Sequence, residues 1–244
     1  MQATATPILE IGRAWIVAPT TAAVGNELGL DGFFGFWING RAGVLGDAPA
    51  AVATAAIGFV SPGRVAELWD GRPAPLSGLE CSRRYRDTAA DWGRAMFTDL
   101  APADLTHLAD LAERMAGTAD ASTGALFAGW RALESPTDPA GRATVALQVL
   151  REMRGGAHLS AVQAAGLTPL AAIVSTDDPV RGGAAGAERF GWVDRELPTP
   201  DPEARAAAEV ITDRICAPAF SALSENDRAR FVDLVAAVRA VVDI

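Results

Sequence analysis

The chain has 244 residues, of which 50% are apolar and 21% charged; that suffices for one large domain or two small ones and excludes a disordered acidic tail. All 21 basic residues are Arg, and the other reactive side chains are few: His107, His158, Tyr85, Cys81 and Cys216. This inventory excludes Schiff-base and pyridoxal chemistry, a P-loop lysine and a Cys/His zinc site. The net charge of −9 repels duplex DNA unless positive charge is clustered, and no segment reads as such a cluster.

Helix punctuation recurs along the chain. Asp47, with Pro49 in the first turn, opens an Ala-rich helix to about Gly58. Ser61-Pro62 opens a short one to Trp69, Ser as N-cap and Pro at the first helical position. Residues 70–79 are Pro/Gly-rich and predict a loop. Ser82 starts a helix with Tyr85, Ala89, Trp92 and Met96 on one face. Pro102 begins another, with Leu105, Leu108, Leu111 and Met115 inward and Gly117 as terminator. Ser122 opens a helix carrying Leu126, Trp130 and Leu133. Residues 140–154 predict an amphipathic helix that Gly155-Gly156 stops, followed by a short helix from His158 to Ala165. Thr168-Pro169 opens one more, to about Ser175.

Residues 176–202 are rich in Gly and Pro and read as loop, with Phe190-Gly191-Trp192-Val193 as a strand-like piece. A helix resumes near Glu203, kinked near Pro218. Ser224-Glu225-Asn226-Asp227 resembles a capping box before a last helix with Phe231, Leu234, Val235, Val238 and Val242 inward. The expected class is mainly α: a multi-helix domain over 1–175, then a degenerate winged-helix-like segment and long C-terminal helices over 176–244. The N-terminus lacks a basic region before an apolar stretch, and no apolar run approaches about 18 residues, so no signal peptide and no membrane span are expected. A cytoplasmic protein with Cys81 and Cys216 as buried free thiols follows.

Three stretches carry a family resemblance. Glu27-Leu28-Gly29-Leu30 precedes Phe33-Phe34-Gly35-Phe36-Trp37-Ile38-Asn39-Gly40-Arg41-Ala42-Gly43-Val44-Leu45-Gly46. Ala125-Leu126-Phe127-Ala128-Gly129-Trp130-Arg131 follows. The third is Leu150-Arg151-Glu152-Met153-Arg154-Gly155-Gly156-Ala157-His158-Leu159. In order and spacing the chain resembles an actinobacterial family of helix-turn-helix (winged-helix) proteins that carry an L-R-E-H-R-G-D-G-H motif. The likeness runs over roughly residues 22–175 and is weaker beyond. Of the Arg-Gly-Asp-Gly-His portion, Arg154, Gly155 and His158 are kept; Gly156 and Ala157 replace Asp and Gly. The resemblance implies a recognition helix before the wing. Here Pro179-Val180-Arg181-Gly182-Gly183-Ala184-Ala185-Gly186-Ala187-Glu188 stands in that place. Ten residues with three Gly make a poor recognition helix. What survives of the wing is Gly191-Trp192-Val193-Asp194.

Arg151, Glu152, Arg154 and His158 are the densest polar cluster. Arg151 and Arg154 share a helix face, and near a helix C-terminus two Arg are explained by the dipole alone. The functional reading is an anion or carbonyl clamp with Arg154 and His158 as the catalytic pair and Arg151 as a ligand contact. Phe34 and Trp37 offer a stacking wall, with Asn39 and Arg41 orienting a planar ligand, although aromatics on a short helix usually serve the core. Trp15, Trp92 and Trp130 extend that wall if the helices converge. Segments 33–41 and 151–158 are expected to face one cavity. His107 reads as an exposed partner of Asp104 and Asp110. No metal site and no cofactor is expected.

Three functions compete. The first is a small-molecule-binding helical protein without DNA binding, in specialised metabolism or its control. The second is a cofactor-independent lyase, cyclase or hydrolase of natural-product biosynthesis using His158 and Arg in an aromatic pocket. The third is a transcriptional regulator binding duplex DNA as a dimer. The expected partner is a small molecule; membrane and duplex DNA are not expected, and a homodimer stays open.

Overall fold

The computed structural model describes residues 2–193 and 195–242. Thirteen α-helices and no strand stand among the described residues. In chain order they are α1 (Gln2–Ile16), α2 (Pro19–Glu27), α3 (Gly32–Ala42), α4 (Ala50–Ile57), α5 (Pro62–Asp70), α6 (Gly78–Met96) and α7 (Pro102–Thr118). There follow α8 (Ala125–Arg131), α9 (Pro139–Ala164), α10 (Pro169–Val174), α11 (Gly183–Arg189), α12 (Pro202–Ser221) and α13 (Glu225–Ala240).

The starts follow local chemistry. Ser61, Ser77, Asp138, Thr168, Asp201 and Ser224 each accept a hydrogen bond from a backbone N–H in the first turn of the following helix, and four of those six helices begin with Pro. Such caps satisfy otherwise orphaned donors and contribute about 1 kcal/mol each. Ser77, not Ser82, caps α6, so that helix begins earlier than the apolar face alone predicts; Ser82 lies inside it and its Oγ donates to the Gly40 carbonyl at 2.6 Å. Gly117 lies inside α7 and does not end it.

The larger correction concerns α9. It runs 26 residues through Gly155-Gly156 without a break. The helix is the hub of the fold, packed against α7, α12, α6, α8, α1 and α10. Residues 143–150 are all buried, and a helix covered on every side draws its stability from tertiary packing rather than from propensity. Two glycines cost about 2 kcal/mol against Ala, too little to end such a helix. Gly156 is moreover required: a Cβ there would stand 2.5 Å from the Thr123 carbonyl oxygen and 2.8 Å from Gly124 Cα.

One apolar core extends from Ile8 on α1 through Tyr85, Leu108, Phe127 and Leu150 to Phe231 and Val242. The C-terminal helices α12 and α13 thus share the core of the helices before residue 175, with α13 seated on α1 and α7. Residues 176–202 hold one short helix, α11. The strand-like reading of 190–193 is corrected: Phe190 caps α11, Gly191 turns the chain at φ 80°, and Trp192 donates its indole N–H to the Phe59 carbonyl at 2.9 Å. A strand needs a partner ladder, and here the backbone meets a turn instead: Ser61 N–H donates to the Phe190 carbonyl at 2.9 Å. Asp194, the last residue of the expected wing remnant, lies outside the described residues. Cys81 and Cys216 are free and buried, and burial pushes both thiols up to about 11. No helix of the described residues is long and apolar enough to cross a membrane.

Candidate functional site

A cleft of about 450 Å³ opens where α1, α3, α9, α10 and α12 meet. Trp37 and Arg41 reach it from α3, and Arg151, Arg154, Gly155 and His158 from α9. Phe59 and Phe190 come from the turns after α4 and α11, and Arg205 and Glu209 from α12. Segments 33–41 and 151–158 therefore do face a common cavity. Five guanidiniums line it, those of Arg41, Arg151, Arg154, Arg181 and Arg205. Since these come from four separate stretches of chain, the cationic cluster is invisible to a search for basic runs. It forms all the same, inside an acidic protein.

Each guanidinium has a different balance of partners. Arg41 makes a two-pronged bond to Glu152, Nε to Oε1 at 2.7 Å and Nη2 to Oε2 at 2.8 Å, and its Cζ lies 4.6 Å from the centre of the Trp37 ring. Gln148 Nε2 donates to the same Glu152 oxygen at 2.7 Å. Burial disfavours the Arg41 cation, but the charge and hydrogen bonds of Glu152 outweigh it and hold its pKa above the ordinary value. Arg154 and Arg205 both donate to Glu209, at 2.5 and 2.6 Å. Burial alone would raise the Glu209 pKa; these cations hold it below the ordinary value. Arg181 is tied to Asp178 at 2.6 Å.

Arg151 is the exception. Among the described residues it makes no hydrogen bond; its nearest carboxylate oxygen belongs to Glu152, 4.0 Å away, and its Nε is buried without a partner. Burial and then the neighbouring Arg41 charge hold its pKa below the ordinary value. Gly12 on α1 makes room for its stem, since a Cβ there would stand 2.7 Å from Arg151 Cδ. The sum is an electropositive cleft with one guanidinium that makes no hydrogen bond and a second, Arg154, whose Nε is also buried without a partner, which is what binds an anion.

His158 is set by a chain of three groups. Thr212 Oγ1 donates to the Ala208 carbonyl at 2.7 Å and lies 2.9 Å from His158 Nδ1. Its one hydroxyl proton being used, Thr212 accepts from His158, so Nδ1 carries the proton. That leaves the Nε2 lone pair without a partner among the described residues. Phe59 stacks on the ring, with centroids 5.8 Å apart. Burial pushes the imidazole down to about 4, Glu209 opposing and Arg205 and Arg154 reinforcing, so it is neutral near pH 7. It acts as an acceptor and not as a cationic clamp.

Of the expected site residues, His158, Arg154, Trp37, Arg41 and Arg151 line the cleft, and Phe34 and Asn39 do not. Phe34 lies one ring behind it, edge-on to Phe190 with centroids 6.1 Å apart. Asn39 is fully buried and spent on the fold: its amide donates to the Gly35 and Leu68 carbonyls, both at 2.9 Å, and its oxygen accepts from Arg72 at 3.2 Å. Trp15 and Trp130 are core rings around Tyr85, and Trp92 packs on Phe97. Gly40 serves the core as well, its missing Cβ replaced by the Tyr85 ring. Arg151 and Arg154 do not cap a helix end, because α9 continues ten residues beyond Arg154 to Ala164. His107 pairs with neither acid: Asp104 is bound to Arg230 and Asp110 to Arg142. Residues 203–212 held a missed signal. Arg205, Glu209 and Thr212 recur at helical spacing on α12 and present three polar groups to one face.

A model described as a helix-turn-helix family matches residues 2–243. The chain belongs to this helix-turn-helix family. No curated protein and no solved structure matches it. In this helix-turn-helix family member the helix next to α10 is α11, seven residues long. Its exposed residues are Ala184, Ala185, Glu188 and Arg189. That face offers one cation and no amide side chain to a duplex.

Proposed function

We propose that this chain is a small-molecule-binding protein built on a helix-turn-helix scaffold, that it works without binding DNA, and that its ligand is an organic anion with an apolar body. A place in specialised metabolism or its control belongs to the same proposal. The observation that carries the reading is Arg151: a guanidinium at the cleft, close to a second cation and without a hydrogen-bond acceptor of its own. A carboxylate, sulfonate or phosphate would supply that acceptor and relieve the repulsion from Arg41. Trp37, Phe59 and Phe190 would take the apolar body, and His158 Nε2 would accept from an O–H or N–H of the ligand.

The test is a calorimetric titration of the protein with 1-naphthoate and with its neutral counterpart 1-naphthamide. The acid is expected to bind at least tenfold more tightly than the amide, and Arg151→Gln to abolish the difference. Equal binding of acid and amide would overturn the reading.

A second reading, a cofactor-independent enzyme, has one observation in its favour: the fixed Nδ1–H tautomer of His158 with a free Nε2 beside Arg154. This is the arrangement of a general base with a cationic neighbour. Its low pKa makes it a weak base, better suited to accepting a hydrogen bond than to removing a proton. Turnover of a bound acid that disappears in His158→Gln, with binding retained, would decide for the enzyme.

A further inference from the structure

We propose that the ligand space is a channel of two compartments joined over Gly155, and that it takes an elongated amphiphile, with an anionic head among the arginines and an apolar tail beyond them. The proposal rests on the reading of the arginine cleft as an anion site and adds the shape and class of the ligand.

A second cavity, of about 330 Å³, adjoins the first. Both are walled by Arg41, Phe59 and Gly155. Gly155 is the notable member of that shared wall. Its neighbour Gly156 is dictated by packing, because Thr123 and Gly124 occupy the place of a side chain. At Gly155 no atom lies within 4 Å of where a Cβ would stand. Nothing in the protein needs this glycine, and glycine weakens a helix interior. What its missing side chain leaves open is the ground where the two cavities adjoin.

The two compartments differ in chemistry. The first holds the five guanidiniums. The second is walled by Ala56, Leu126, Phe127 and Leu159, and the charged groups reaching it are Arg41 and Glu152, which are bonded to each other. Ser122, Thr123 and Ser160 add neutral polar groups at its wall; the rest is apolar surface with no unpaired charge, which fits a hydrocarbon tail rather than a second anionic group.

The experiment titrates the full chain with straight-chain carboxylates from hexanoate to dodecanoate, below their micellar concentrations. Affinity for the wild-type protein is expected to rise with length, by up to about fourfold per methylene where burial is complete. Ala56→Phe fills the second compartment alone and is expected to weaken dodecanoate at least tenfold while hexanoate binds as before. Gly155→Leu, at the junction, is expected to weaken dodecanoate to the same degree, and circular dichroism checks that α9 persists in it. Dodecanoate binding no tighter than hexanoate, or insensitive to Ala56→Phe, would overturn the channel. The Arg151→Gln protein separates the two readings. If it weakens every acid alike while the plugs fail to discriminate by length, the channel alone falls. If it leaves every acid bound as before, the anion site beneath it falls too.

Discussion

Arg41 and Glu152 lie 111 positions apart and meet in a buried, two-pronged ion pair, with Glu152 only 1% exposed. The pair joins α3 to α9; Arg41 walls both cavities and Glu152 the second. Trp130 adds to the joint from α8, donating its indole N–H to the Arg41 carbonyl at 3.0 Å. Neutralising one partner leaves the other charge buried without compensation. Glu152→Ala is expected to destabilise the fold by about 3–5 kcal/mol, measured by urea denaturation. A loss below about 1 kcal/mol, the range of exposed pairs, would show that water reaches the pair and screens it.

Arg151 predicts the opposite sign. It is desolvated, stands near Arg41 and lacks a hydrogen-bond acceptor. Replacing it with the neutral, unbranched Gln removes the repulsion and keeps part of the stem. Arg151→Gln is expected to hold or raise the melting temperature while anion binding is lost, a pattern typical of residues kept for binding at a cost in stability. A clear fall in melting temperature would mean that the guanidinium serves the fold.

Much of this fold is legible in the sequence because caps and prolines are local. Ser61, Thr168 and Ser224 stand where their helices begin, and their function needs only four consecutive residues. The apolar faces of α7 and α13 are legible for the same reason. What local reasoning misreads is what the tertiary structure decides. Gly155-Gly156 is a stop signal in isolation and an uninterrupted turn inside a buried helix. Asn39, read as a ligand contact from its place after an aromatic run, is consumed by carbonyls of α3 and of Leu68. Five arginines scattered over four stretches of chain become one cleft only after folding. Trp37 and Arg41 are legible as an aromatic run that ends in polar residues, and Arg151, Arg154 and His158 as the densest polar cluster, and these are the residues that converge.

The paired glycines give an internal control. Gly155→Ala adds a Cβ into open space and removes the helix penalty of glycine, so a gain of about 0.5–1 kcal/mol is expected. Gly156→Ala drives its Cβ against the Thr123 carbonyl and Gly124; both contacts are backbone and cannot swing aside. A loss of about 1–3 kcal/mol is expected. Thermal melts of the two single variants check the pair, and shifts of the same sign would contradict the packing described for α9.

DNA binding is expected to be absent near physiological salt. The net charge is −9, and the arginines that converge do so in a concave cleft where a duplex cannot enter. The exposed face of α11 carries Glu188 beside Arg189. Non-specific affinity requires several phosphate contacts at once. A gel shift at nanomolar protein that weakens steeply with added salt would refute this.

The pH dependence of stability reports on His158. Its pKa in the fold is about 4, against 6.5 for the free side chain. Below pH 6.5 the unfolded chain takes up a proton that the folded chain refuses. Stability is therefore fully present above pH 6.5, falls as the pH drops from there to about 4, and stops falling on this account below that. By pH 5 the loss amounts to about 2 kcal/mol. Glu209, whose pKa is held below the ordinary value, works in the same direction at lower pH. Glutamine at position 158 does not titrate, so the difference in unfolding free energy between wild type and His158→Gln should shrink or reverse between pH 7.5 and pH 5. Denaturant titrations at the two pH values measure it directly. A difference that stays constant across the interval would mean that His158 is as well solvated in the fold as in the unfolded chain, and the Phe59–Thr212 enclosure would not be what holds it neutral.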